Sequence, residues 1–80
     1  MKRQDQSWTP PGVWQSPDGA AVSCNEKISV LNENLVEIRQ MCQDALEDAV
    51  LMGADEGQLR EVLRSMVDGL TNPWPEGGGK

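Results

Sequence analysis

The residues of this chain best equipped for chemistry are two cysteines and a run of carboxylates, and their spacing limits what they can do. Cys24 and Cys42 fall on one predicted helix, about 27 Å apart at 1.5 Å per residue. They cannot bridge each other within a chain. Cys24 stands at the helix start, where the dipole lowers a thiol pKa. Two chains together would offer thiols enough for a shared metal or cluster through Cys24, although the usual C-x-x-C spacing is missing. The plainer reading is that both cysteines are small buried hydrophobes. Unpaired thiols fit a reducing compartment, and the expected location is cytoplasmic.

The acids Glu33, Glu37, Asp44, Glu47 and Asp48 invite a carboxylate metal site. They face away from the apolar seam of their helix, and the chain has no His, so the Glu-x-x-His pair of a di-iron bundle cannot form. A calcium loop would need a D-x-D-x-D-G pattern, which is absent. The expectation is therefore no metal and no cofactor. Asp44, Glu47 and Asp48 oppose the dipole at the end of their helix, and Arg60 and Arg64 on the next helix are expected to lie alongside them as weak surface ion pairs. There is no G-x-S-x-G, no phosphate-binding loop and no dinucleotide fingerprint. Without His the usual general base is also missing. The reading is a protein that is not an enzyme.

What must position these residues is one long helix. Apolar or small residues recur at Cys24, Ile28, Leu31, Leu35, Ile38, Cys42, Ala45, Ala49 and Met52, in steps of four and three. That repeat is the seam of a helix pressed against another helix. Ser23 and Glu26 form an S-x-x-E capping box at its start, and Gly53 supplies a left-handed stop after Met52. A second helix opens with Asp55 as N-cap and Gln58 three residues on. It carries Leu59, Val62, Leu63, Met66, Val67 and Leu70 on one face and ends at Asn72-Pro73.

The short link at Gly53-Ala54 makes the two helices antiparallel. Ala49 is then expected against Leu59, Ala45 against Val62 and Leu63, Cys42 against Met66, and Ile38 against Leu70. Small residues face large ones, which allows close approach. The helices are about 45 Å and about 25 Å long at 1.5 Å per residue, so the second leaves Ile28, Leu31 and Leu35 uncovered. Three covers are conceivable: a second copy of the chain, a larger protein partner, or the N-terminal segment with Val13, Trp14 and Val22. Trp74, following Leu70, is a further aromatic expected to reach the same region. The flanking positions Lys27, Asn32, Asn34, Arg39, Met41 and Leu46 carry no charge code that chooses a partner.

Before the helices, residues 1–22 form an N-terminal arm. Met1 to Ser7 reads as disordered. Trp8 to Gly12 is extended by its prolines, and Ser16-Pro17-Asp18-Gly19 reads as a type I turn that would make a short hairpin of 13–22. Residues 23–72 are the helical hairpin, and 73–80 are a Pro- and Gly-rich flexible tail. The fold class is all-α: an antiparallel helical hairpin, one long helix and one shorter, with an extended or β-hairpin-like N-terminal arm, dimerising into a four-helix bundle.

Nearly all of the net charge of −6 sits on the helices. It argues against nucleic acid and against anionic membranes, and no apolar run is long enough to span a bilayer. With 80 residues the core is marginal, and such chains lean on a partner, metal or disulfides. The function expected is a small non-catalytic interaction or accessory protein, working through Ile28, Leu31, Leu35 and Ile38, with Trp14 and Trp74 beside them. Its partner would be a second copy or a larger protein. The alternatives are the thiol-based metal or cluster binder at Cys24 and an acidic mimic that binds a basic protein.

Overall fold

The structure, a computed structural model, describes residues 8–74. The expected disordered start at 1–7 and the tail from 75 onward lie outside them. The described chain is all-helical, with two helices and no strands, consistent with a helical hairpin: α1 spans Asn25–Leu51 and α2 spans Glu56–Asp68. It divides into two compact units, Met1–Gln43 and Asp44–Lys80, so α1 runs from the first into the second.

In the first unit α1 begins two residues later than Ser23. The amide of Ile28 donates to the carbonyl oxygen of Cys24 at 3.0 Å, which puts Cys24, not Ser23, at the N-cap. The two residues are adjacent and both can cap. The backbone chooses between them by the one whose side chain meets the free amides of the first turn. Ahead of the helix, Gln15 and Ala21 form an isolated antiparallel bridge. Around it the Gly19 amide donates to Ser16 O at 2.8 Å and the Ser16 amide to Ala20 O at 2.8 Å. Gly19 has φ +91°, the conformation by which a three-residue hairpin loop returns the chain. Asp18 stiffens the turn, its carboxylate accepting from the Ser16 hydroxyl and from the Ala20 amide at 3.0 Å.

In the second unit α1 ends in a Schellman motif. The Ala54 amide donates to Ala49 O at 2.8 Å and the Gly53 amide to Val50 O at 3.1 Å, with Gly53 at φ +89°. These are the two bonds that satisfy the last free carbonyls of a helix. Asp55 caps α2 as expected, its carboxylate accepting from the Gln58 amide at 2.8 Å. The half-buried positions here are Ala45, Leu46 and Ala49 on the end of α1 and Leu59 and Leu63 on α2.

A further expectation changes. Helix α2 stops at Asp68, with Gly69 as its C-cap, several residues short of Asn72-Pro73. Glycine is unfavourable inside a helix by about 1 kcal/mol, and Pro73 pushes Asn72 out of helical backbone. Asn72 instead turns its side-chain oxygen onto the Trp74 amide at 3.0 Å. The basic residues pair along their own helix: Arg60 with Glu56 at 3.0 Å and Arg64 with Glu61 at 3.0 Å. Spacings of three and four on one helix bring such partners together with little loss of side-chain freedom.

Candidate functional site

The heptad positions of α1 in the first unit supply the site. Ile28, Leu31 and Leu35 are half-buried, and so are Asn32, Arg39 and Cys42. Ile38 is 52 % exposed. The covered stripe is therefore turned from the apolar seam toward the flank that carries Asn32 and Arg39, which stand one heptad apart and share a side of the helix.

The N-terminal segment explains the turn. Trp14 is half-buried, and its indole Nε1–H donates to Asn32 Oδ1 at 2.7 Å across 18 residues of chain. A buried or half-buried indole N–H needs an acceptor, and the Asn32 side-chain oxygen supplies it. The Arg39 guanidinium carbon lies 5.9 Å from the centre of the Trp8 ring, within the range of a cation–π contact. The Trp14 carbonyl in turn accepts from the Val22 amide at 2.8 Å, so the turn that closes at Ser16–Gly19 holds the indole in place. Val22 is half-buried and Val13 exposed.

Of the residues singled out in the sequence, Ile28, Leu31, Leu35 and Trp14 thus come together on one face, with Ile38 at its rim. Trp74 belongs to the second unit and is 67 % exposed. Asn32 and Arg39 were read only as flanking positions that choose no partner, and Trp8 only as part of the extended arm. The available signal was the heptad spacing of two polar residues beside an apolar seam, together with tryptophans that need a polar partner.

Cys24 is exposed and Cys42 half-buried, and both are free thiols. The backbone amides of Lys27 and Glu26 donate toward the Cys24 sulfur and hold its pKa below the ordinary thiol value. Among the described residues no three His, Cys, Asp or Glu side chains gather as a metal site, and no helix is long and apolar enough to cross a membrane. On α2, Val62, Met66 and Val67 remain exposed, as does Leu70 beyond its end. Among the described residues no side chain is fully buried.

Comparison with protein-family models, with curated proteins and with solved structures found no match.

Proposed function

We propose that the chain is a small non-catalytic interaction protein whose working surface is the apolar face of α1, and that two copies pair through Ile28, Leu31, Leu35 and Ile38 into a four-helix bundle in the cytoplasm. One observation carries this reading: two well-formed helices with apolar stripes, yet no fully buried side chain among the described residues. Ordering the backbone costs about 1–2 kcal/mol per residue. Fully burying one Leu or Ile side chain returns about 1.5–3 kcal/mol. A face that stays half-covered in a single chain leaves much of that return for a second molecule to supply. Light scattering across a dilution series tests it. The wild type should pass from dimer to monomer on dilution, and Leu31→Asp and Leu35→Asp should be monomeric throughout. A wild type monomeric at every concentration sinks the self-association.

A second reading is favoured by the exposed, low-pKa Cys24 thiol: a metal or cluster held between two chains. Metal analysis of the purified protein beside a Cys24→Ser variant separates the two. A stoichiometric metal that disappears with Cys24 supports the thiol reading.

A further inference from the structure

We propose that Asp68–Gly69, at the end of α2, is a site of spontaneous backbone isomerisation, and that the turn around Asp18 withholds the same reaction from the chain's other Asp–Gly bond.

The sequence contains two such bonds, Asp18–Gly19 and Asp68–Gly69, and both aspartates are exposed. The reaction is intramolecular. The glycine nitrogen attacks Cγ of the protonated aspartic acid. The N–Cγ bond forms, the Cγ–OH bond breaks, and the amide proton leaves with the hydroxyl as water. Water then opens the cyclic imide at either carbonyl. One opening restores aspartate. The other gives an isoaspartyl linkage, in which the main chain runs through the former side chain and gains a methylene. Mass and charge are unchanged, and no oxidant, metal or second protein is needed. Glycine suits the attacking position because it has no Cβ to crowd the nitrogen.

At Asp18 both reacting groups are occupied. Its carboxylate accepts from the Ser16 hydroxyl and from the Ala20 amide at 3.0 Å, and the Gly19 amide donates to Ser16 O at 2.8 Å. The Ser16 hydroxyl, then the Ala20 amide, keep the group ionised, and a carboxylate anion is a poor target for a nucleophile. At Asp68 only the amide is held. Gly69 shares its N–H between Ser65 O at 3.0 Å and Met66 O at 3.2 Å, and helix ends open at little cost. Among the described residues no donor sits on the Asp68 carboxylate, and Arg64, one turn back, is turned to Glu61 at 3.0 Å. Fraying of α2 thus frees the nitrogen beside a carboxyl already able to turn toward it. The Asp18 turn must give up its side-chain and main-chain bonds together. Once formed, the longer isoaspartyl linkage draws the Gly69 amide off both carbonyls, and α2 loses its C-cap.

The test ages the full chain in mildly acidic buffer as wild type, Ser16→Ala and Gly69→Ala, with circular dichroism to verify the helices. Proteolytic mapping by chromatography and mass spectrometry separates an isoaspartyl peptide from its parent of equal mass. Alanine fits at Gly69, where the backbone is helical at φ −84° and ψ −3° and an added Cβ would meet Ser65 O at 3.4 Å and Met66 O at 3.7 Å. Isoaspartate should accumulate at position 68 about tenfold faster than at position 18, the effect of one or two net hydrogen bonds. Gly69→Ala should suppress it at 68 and leave 18 unchanged. Ser16→Ala should raise the rate at 18 about fivefold. In denaturant the two wild-type rates should converge. Equal or faster reaction at 18 in the folded wild type, no isoaspartate at 68, or a ratio that persists in denaturant overturns the proposal.

Discussion

The amide of Ala54 donates to the carbonyl oxygen of Ala49 at 2.8 Å, wrapping the end of α1 around Gly53. That closure needs a residue at φ +89°, and an added Cβ there would meet nothing within 4 Å. The penalty for any other residue is thus one of backbone conformation alone. Gly53→Ala should destabilise the chain by about 1–2 kcal/mol, read as a lower urea midpoint with unchanged slope. Gly53→Asn should recover part of the loss, because Asn tolerates the left-handed region. An Ala variant as stable as wild type would mean that the helix end does not depend on this closure.

Asp55 begins α2 by accepting from the Gln58 amide. Asp55→Ala removes that acceptor and should lower stability by about 0.5–2 kcal/mol, whereas Asp55→Asn should lose much less. Amide exchange at Gln58 gives the local measure. Protection there should fall in the Ala variant, and its persistence would show that another group caps the helix.

The two thiols should react at different rates. Cys24 is exposed and its thiolate is favoured by the Lys27 and Glu26 amides, whereas Cys42 is half-buried. Iodoacetamide near neutral pH should modify Cys24 first, located by peptide mass spectrometry. Because the folded pKa is lowered, the folded state binds fewer protons than the unfolded one between that pKa and the unfolded value near about 8.5. Stability should therefore rise with pH across that window and be lost as pH falls through the folded pKa. Cys24→Ser should flatten this slope. Equal alkylation rates at the two sites would contradict the capping geometry.

Asp18 sets the acid limit of the turn between Ser16 and Ala20. The Ser16 hydroxyl, then the Ala20 amide, hold its pKa below the usual carboxylate value. The turn should stay intact above about pH 4 and loosen as pH falls through the lowered folded pKa, since the unfolded form takes up its proton first. The Ala20 amide shift, followed by NMR from pH 6 to pH 2, reports it. Asp18→Ala should abolish the titration, and a Gln15–Ala21 bridge surviving at pH 2 would show that the carboxylate is dispensable.

Much of the two-helix frame was legible because its signals are local. The period of apolar residues marks α1 and α2, Gly53 marks the stop and Asp55 the restart, each through neighbours within one helical turn. The boundaries were less so. Ser23 and Cys24 are both able to cap, and the choice depends on which side chain the entering chain turns toward the amides. Arg60 and Arg64 bond to Glu56 and Glu61 of their own helix, contacts that need no long-range arrangement.

The site divides along the same line. Ile28, Leu31 and Leu35 declare themselves by spacing, since a helix puts residues three and four apart on one face whatever surrounds it. That Asn32 and Arg39 share their covered stripe, and that Ile38 lies at its edge, was decided only when Trp14 found its acceptor 18 residues away. Periodicity describes one helix at a time. A hydrogen bond between distant segments depends on where the intervening turn delivers an indole, and only the folded chain contains that.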